Sequence, residues 1–151
     1  RYFLYYPGRR QMPAVLRATP AYENLGLRAL CDGIHTGYGG NDVARLTTEM
    51  YRSEMVPAMK PTDAYAKMAH GEIDRVPIDE LEGRVSAVLL TPYPPGIPLL
   101  IPGEVVNLTI MRYLKFAREF SAKFPGFETD VHGLVKQKVN GQVEYFLDCV
   151  R

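Results

Sequence analysis

Three ionisable side chains alternate along one short stretch of the sequence, "ETDVHG". Glu128, Asp130 and His132 occupy every second position of it. In an extended segment these residues share one face, so a carboxylate can orient the imidazole or raise its pKa. An acid/base pair or half of a metal site can be built in this way. The alternative is a polar loop cluster in which the histidine forms only local hydrogen bonds.

The rest of the sequence supplies no further residues that would complete a catalytic site or a metal site. His35 and His70 are predicted at helix ends, where a cation suits the helix dipole, and neither lies at ligand spacing from His132. Cys31 and Cys149 form no CxxC pattern, which argues against structural zinc and favours unpaired, buried thiols in a cytosolic protein. A dinucleotide fingerprint, a phosphate-loop lysine and a GxSxG elbow are also missing. The residues alone therefore predict neither a complete catalytic set nor a metal site.

A second feature is the proline-rich stretch "TPYPPGIPLLIPGE", residues 91–104, with five prolines in fourteen residues. Each proline fixes φ, removes a backbone donor and pushes the preceding residue towards extended geometry. Gly96 and Gly103 permit sharp changes of direction. The stretch is therefore predicted to be a stiff, nearly extended loop. It is either a rigid crossover that holds two strands in register or a preformed wall of a cleft or an inter-domain contact.

The elements that must position these residues follow from hydrophobic periodicity and turn residues. The predicted elements are a helix from Ala21 to His35 that "HTGYGG" ends, a helix capped by Asn41 with Val43, Leu46 and Met50 on one face, a short helix from a Thr62 cap to near Gly71, a strand from Arg84 to Pro92, an extended segment from Ile97 to Ile101, and a helix from Asn107 to Lys123. Residues 1–20 are interpreted as an arm, with Tyr2–Tyr6 a short strand or connector, and residues 21–151 as one domain.

A β-hairpin is predicted at the C-terminus around Asn140-Gly141, a pair typical of a type I′ turn. The apolar residues on its two sides are expected to form one buried face, which comprises Val135, Val139, Val143, Tyr145, Leu147 and Cys149. Helices followed by strands, a helix and a hairpin predict an α+β fold, with helices packed on small mixed or antiparallel β-sheets.

Bulk composition excludes several classes of partner. The formal net charge is +1 and the apolar fraction is 46%, values of an ordinary globular domain with no field to attract nucleic acid or an acidic membrane. No apolar run approaches the ~20 residues of a membrane span. Because the sequence starts at Arg1 and lacks a secretion signal, we interpret it as part of a longer cytoplasmic polypeptide.

Two motif blocks, "LLTPYPPGIPLLIPGE" and "FPGFETDVHG", together resemble the C-terminal domain of the bacterial ornithine/lysine/arginine decarboxylases. The similarity extends upstream through "VPAMKPTDAYAKMAHGEIDRVPIDELEGR". The family consists of large pyridoxal-phosphate enzymes of the aminotransferase-like fold. The resemblance implies that the cofactor lysine follows a histidine in a preceding catalytic domain. Since no His-Lys pair occurs here, the fragment alone is expected to hold no cofactor and to be inactive.

The resemblance also implies a role for the domain: to pack on the catalytic body, shape the approach to its cleft and support oligomer contacts. The enzyme is expected to be a homodimer or a decamer, acting on lysine first, then arginine or ornithine. Glu104, Glu128 and Asp130 are expected to attract the cationic substrate. The residues expected at the active-site entrance or at an interface are Tyr93, Pro94, Pro95, Gly96, Glu104, Glu128, Asp130 and His132. Competing hypotheses are a free-standing protein-interaction module and a small hydrolase that uses Asp130 and His132.

Overall fold

The computed structural model describes residues 18–93, 95–139 and 141–151 of the chain. The helices are α1 (Leu27–Gly40), α2 (Val43–Arg52), α3 (Pro61–Ala69) and α4 (Leu108–Lys123), and the strands are β1 (Ile73–Pro77), β2 (Thr91–Tyr93), β3 (Asp130–His132), β4 (Leu134–Val139) and β5 (Gln142–Val150). Short 3₁₀ turns cover Pro20–Tyr22 and Ile78–Glu80. The α+β prediction is confirmed. The predicted strand or connector at Tyr2–Tyr6, and most of the arm, lie outside the described residues.

The main sheet has three antiparallel strands in the order β1-β5-β4, and its second and third strands are the predicted C-terminal hairpin. Val139 pairs with Gln142, so two residues connect the strands, and Gly141 has a φ of 84°. Positive φ near this value costs glycine little, which explains the residue type in the turn. Strand β1, which extends the sheet on the other side of β5, was not predicted from the sequence.

The prediction of one buried face on the hairpin is wrong. A two-residue connection pairs Val135 with Phe146 and Lys138 with Val143. Directly opposite residues share a face, so Val135 and Val139 lie on the face opposite to Val143 and Leu147. Val139 and Val143 are 41% and 46% exposed, because the hairpin tip extends beyond the elements that cover the core.

The helix predicted from Asn107 to Lys123 is present as α4, and it has more buried residues than any other described helix. The Asn107 side chain caps it by accepting a hydrogen bond from the Ile110 backbone N–H at 2.9 Å. Its buried residues Ile110 and Leu114 belong to the same core cluster as Leu147 and Cys149 of β5. This helix face and the C-terminal half of β5 therefore share one core.

Helix α1 differs from its prediction at both ends. It begins at Leu27, and it continues through "HTGYGG" to Gly40, so that His35 lies inside the helix. A Cβ atom at Gly37 would approach the Phe124 ring to 3.3 Å and the Phe120 ring to 3.6 Å. Gly37 therefore allows α1 to pack closely against two rings at the end of α4, whereas Gly39 and Gly40 have open space around their Cβ positions. That packing outweighs the roughly 1 kcal/mol by which a helical glycine is less favourable than alanine.

The two predicted helix caps are also wrong, for local reasons. Asn41 donates its side-chain amide to the Gly37 carbonyl at 2.9 Å and so ends α1, while Asp42, with a φ of 46°, is the residue that precedes α2. The cap position of α3 is Lys60, because Pro61 fills the first helical position, where its fixed φ is favourable. The predicted apolar face of α2 is present: Val43 and Met50 are buried, and Leu46 packs against the main core.

The predicted strand from Arg84 to Pro92 is replaced by separate short pairings. Val85 pairs with Val105, Ser86 with Cys149, and Leu90 with Leu100. Of this run, only Thr91 and Pro92 belong to a continuous strand, β2, which pairs with β3 in a second, two-stranded sheet. The apolar run therefore changes partner along its length, which a periodicity pattern does not reveal. Within the described ranges, no helix is long and apolar enough to cross a membrane.

Candidate functional site: the proline loop and the β2–β3 ribbon

The β2–β3 ribbon brings the proline segment and the "ETDVHG" segment together. Thr91 pairs with His132 and Tyr93 with Asp130, so these four side chains share one face. Val131 points to the other face and is buried in the main core. The paired residues are 37 or more positions apart in the sequence, so only the fold can make them neighbours.

Asp130 and His132 form the contact that their spacing predicted. The His132 Nε2 atom lies 3.2 Å from Asp130 Oδ2, and the two side chains are 65% and 62% exposed. Lys136 Nζ lies 4.0 Å from the other carboxylate oxygen. The Tyr93 ring meets the imidazole edge-on with the ring centroids 6.2 Å apart. Because water screens exposed pairs, this arrangement can orient an imidazole at a surface but adds little stability.

The cross-strand neighbour of His132 is Thr91, which carries the one aliphatic hydroxyl of the ribbon. The Thr91 Oγ1 atom is buried and has no hydrogen-bond partner among the described residues. The Asp130–His132 pair thus has the buried Thr91 hydroxyl beside it. The sequence did not predict this neighbour, because Thr91 lies in the other motif block. An activated nucleophile needs a base within hydrogen-bond reach, and no hydrogen bond links Thr91 to His132. The described geometry therefore gives no support to the small-hydrolase hypothesis.

Glu128 lies apart from this pair in the described structure. It precedes β3, which begins at Asp130, and its exposed side chain lines a groove between α4 and the hairpin. Asp130 and His132 thus lie together on the ribbon, whereas Glu128 lies on a different surface.

The proline segment folds back on itself rather than running extended throughout. The Leu99 N–H donates to the Leu90 carbonyl at 2.7 Å, and the Leu90 N–H donates to the Leu100 carbonyl at 3.0 Å. Leu90, Leu99 and Leu100 are buried, so the base of the loop is anchored in the core. The prediction of a nearly extended loop is therefore wrong. The segment doubles back instead, and its base is held in the core by these hydrogen bonds and buried leucines.

The tip of the loop is exposed and apolar. Gly96 has a φ of 80°, and its N–H donates to the Pro92 carbonyl at 2.8 Å, which closes the turn. Tyr93 and Ile97 are 61% and 53% exposed, and Pro95 is exposed as well. Pro94 lies outside the described residues. We call this surface, made of Tyr93, Pro95, Gly96 and Ile97, the loop tip.

Glu104 has a local structural role at the other end of the segment. Its carboxylate accepts a hydrogen bond from the Ile101 backbone N–H at 2.8 Å and so closes the "IPGE" turn. The neighbouring Gly103, with a φ of 93°, donates its N–H to the Ser86 carbonyl and accepts from the N–H groups of Ala58 and Met59. The Glu104 carboxylate is therefore oriented towards the backbone of its own turn and away from the role of a free surface charge.

The described residues do not fit a pyridoxal-phosphate site. A cofactor lysine must lie in a cleft beside donors for a phosphate group. The described lysines are exposed or half-buried surface residues: Lys60, Lys67, Lys115, Lys123, Lys136 and Lys138. Lys67 and Lys115 form ion pairs with Glu72 and Asp79. No cluster of three or more histidine, cysteine or acidic side chains in the described ranges is arranged to hold a metal ion.

Comparison with known proteins decides the family. The model of the "Orn/Lys/Arg decarboxylase, C-terminal domain" family matches residues 44–151. The chain belongs to this family. The two motif blocks that carry the resemblance lie inside the matched range, and the family prediction is confirmed.

The relatives of this decarboxylase C-terminal domain include proteins named as lysine and ornithine decarboxylases. Lysine decarboxylase LdcA of Pseudomonas aeruginosa is 44% identical over 144 residues, which are 93% of this chain and 19% of that protein. The inducible lysine decarboxylase of Escherichia coli (strain K12) is 36% identical over 136 residues, 85% of this chain and 19% of its own length. The chain spans about a fifth of the length of these curated relatives.

Solved structures agree with the fold. Lysine decarboxylase A from Pseudomonas aeruginosa superposes with a TM-score of 0.88 and 43% identity, covering 99% of this chain and 21% of that chain. The constitutive lysine decarboxylase of Escherichia coli gives a TM-score of 0.85 and 31% identity, covering 96% of this chain and 21% of its own. The decarboxylase C-terminal domain therefore shares its whole described architecture with larger enzymes.

Proposed function

We propose that this chain is the non-catalytic C-terminal domain of a cytoplasmic, pyridoxal-phosphate-dependent lysine decarboxylase. Its loop tip is the surface that packs on the catalytic domain or on a neighbouring subunit of a homodimer or decamer. When bound in the catalytic domain, the cofactor supplies the electron sink for loss of the α-carboxylate. Lysine is the proposed substrate because five curated relatives named as lysine decarboxylases are 33–44% identical. Those named as ornithine decarboxylases are 30–33% identical.

The observation that carries this proposal is the exposure of the loop tip on an anchored base. Tyr93 and Ile97 face solvent while Leu90, Leu99 and Leu100 hold the loop in the core. Large apolar side chains that cluster on a surface mark contact sites, and tyrosine is enriched at such contacts. An anchored loop also loses little conformational entropy when a partner covers it, since its base is already held in the core.

The test of the interface uses Tyr93→Ser and Ile97→Ser in the full-length enzyme. Burial of a large side chain at the centre of an interface is worth more than about 1 kcal/mol, so each variant should weaken assembly by about fivefold or more. Light scattering after size-exclusion chromatography measures the assembly, and carbon dioxide release from lysine measures activity. Tyr65→Ser is the matched control, since Tyr65 is 64% exposed but lies on α3. Equal effects of Tyr93→Ser and Tyr65→Ser on assembly would reject the loop tip as the interface.

We further propose that Glu128 and Asp130, with a smaller part for Glu104, steer the cationic substrate towards the entrance. Glu128 and Asp130 have exposed carboxylates and are the better candidates, because the Glu104 carboxylate is bound to Ile101. Opposite charge at the entrance raises the encounter rate in a salt-dependent way. His132, held by Asp130 and Tyr93, is proposed to keep the Asp130 carboxylate oriented.

The steering test is the double variant Glu128→Gln/Asp130→Asn. KM for lysine should rise about two- to fivefold at low salt with kcat unchanged, and the difference should vanish at 1 M salt, where the Debye length is about 3 Å. The control is Glu80→Gln/Glu82→Gln, which removes the same charge from two exposed positions elsewhere. A KM that does not change at low salt rejects steering without affecting the interface proposal.

A further inference from the structure

A groove between α4 and the C-terminal hairpin is not explained by the packing of the domain. It encloses about 710 Å³, within the range of about 300–1,000 Å³ that small-molecule sites occupy. It opens because the hairpin tip extends past the helix: α4 ends at Lys123, whereas Val143 remains 46% exposed. Residues that line it include Arg118, Glu119, Ala122, Glu128, Lys136 and Tyr145.

The groove already holds one alkylammonium group of the protein. The Lys136 Nζ atom lies 5.6 Å from the centroid of the Tyr145 ring and 4.0 Å from Asp130 Oδ1. An ammonium at this distance over an aromatic face is attracted by the ring quadrupole, and an aliphatic stem packs well on the same apolar surface. The lining therefore shows which chemistry it accepts: a methylene chain that ends in a cation.

The ionised groups of the groove favour cations as well. Three carboxylates, Glu119, Glu128 and Glu144, line it from α4, from the segment before β3 and from β5. The facing cation, Arg118, is bound to Asp79 by hydrogen bonds of 2.6 and 3.3 Å. The Arg118 Nη1 atom also lies 3.8 Å from Glu144 Oε2. Within the part of the chain that the structure describes, Glu119 and Glu128 form no ion pair and so remain available to a ligand.

We propose that this groove is a binding site for a linear aliphatic α,ω-diamine. The Tyr145 ring, Ala122 and Val143 contact the methylene chain, and the carboxylates of Glu119 and Glu128 neutralise its ammonium ends. The choice of ligand rests on the proposed function, since loss of the carboxylate from a basic amino acid leaves a molecule of this class. The groove is then a site at which the protein senses the accumulated product.

The test is calorimetric titration of the full-length protein with 1,5-diaminopentane. Each of Glu119→Gln and Glu128→Gln should raise the Kd by about threefold, the effect of losing one exposed ion pair. Lys136→Met should lower the Kd by a similar factor, because it removes an internal competitor and a like charge. A general loss of packing would raise the Kd in all three variants. A higher Kd in the glutamate variants together with a lower Kd in Lys136→Met therefore cannot come from disturbed packing alone.

The matched control is Lys138→Met, which removes the same charge two positions along β4 from a residue that does not line the groove. Its Kd should change by less than half as much as that of Lys136→Met. The monoamine n-pentylamine should bind at least threefold more weakly than the diamine, since only one end is recognised. Wild-type affinity in both glutamate variants, or equal shifts in the two lysine variants, overturns the proposal.

Turnover of lysine, measured in parallel, separates the two hypotheses. Variant-sensitive diamine binding without any decarboxylation overturns only the proposed function. Decarboxylation with diamine binding that is insensitive to these variants overturns only the inference about the groove.

Discussion

Gly133 offers the sharpest test of the described geometry, because it redirects the chain between β3 and β4 beside the Asp130–His132 pair. It has a φ of 100°, and a Cβ atom there would overlap the Leu89 carbonyl oxygen and lie 3.4 Å from Leu90 Cα. Both neighbours are backbone atoms, so no side-chain rotation relieves the overlap. The substitution Gly133→Ala therefore forces either the ribbon or the segment around Leu89 to move.

The expected cost has two parts. A left-handed conformation costs a residue with a Cβ atom about 1–2 kcal/mol, and displacing packed backbone costs about 1–3 kcal/mol more. We expect Gly133→Ala to lower the free energy of unfolding by about 2–5 kcal/mol. Urea unfolding followed by circular dichroism measures this as a lower midpoint at an unchanged slope.

Two other glycines provide matched controls. Gly83 has a φ of 78° and no atoms within 4 Å of its Cβ position, so Gly83→Ala should cost only the conformational part, about 1–2 kcal/mol. Gly39 lies in α1 with equally open space, so Gly39→Ala should stabilise by about 0.5–1 kcal/mol. If Gly133→Ala destabilises no more than Gly83→Ala, the close approach of Gly133 to Leu89 is refuted.

Two further predictions concern ionisable groups. The hydrogen bond from Arg118 lowers the pKa of Asp79, so the pair stabilises the fold above the unfolded pKa of about 3.9 and this contribution is lost as pH falls through the folded pKa. Asp79→Asn should therefore lower the free energy of unfolding by less than about 1 kcal/mol at pH 7, because the carboxylate is half exposed. In urea titrations the difference in unfolding free energy between variant and wild type should become smaller below pH 4. A difference that becomes larger there contradicts a stabilising Asp79–Arg118 pair. Burial raises the pKa of Cys149 to about 11, so a thiol reagent at pH 8 should modify the half-buried Cys31 and leave Cys149 unmodified until denaturant is added. Mass spectrometry counts the labels, and rapid labelling of Cys149 in the native protein would show that β5 opens.

Parts of the fold follow from local signals that agree with the tertiary structure. Helix α4 has a helical period and an asparagine that caps it, and the hairpin has an Asn-Gly turn between alternating strands. In both, the preferred local conformation is also the one that buries apolar surface. The Asp130–His132 contact belongs to the same group, because two residues of an extended segment share a face.

Other features were decided by contacts between distant residues. Local preferences differ by roughly 1 kcal/mol or less per residue, so packing overrides them. For this reason α1 continues through "HTGYGG", where Gly37 packs on Phe120 and Phe124. The 84–92 run likewise divides into four pairings, with Val105, Cys149, Leu100 and β3.

The sequence by itself determined the family, the α+β class, the hairpin and the Asp130–His132 pair. These features need only short-range geometry or a pair of motif blocks. The tertiary structure decided that Tyr93 lies beside His132, that the Glu104 carboxylate serves its own turn, and that Glu128 faces a groove with Lys136 and Tyr145. The Tyr93–His132 contact depends on the pairing of β2 with β3, and the groove depends on how α4 packs beside the hairpin, so both are fixed only when distant segments come together. The Glu104 hydrogen bond is local, but its turn is held in place by the contacts of Gly103 with Ser86, Ala58 and Met59.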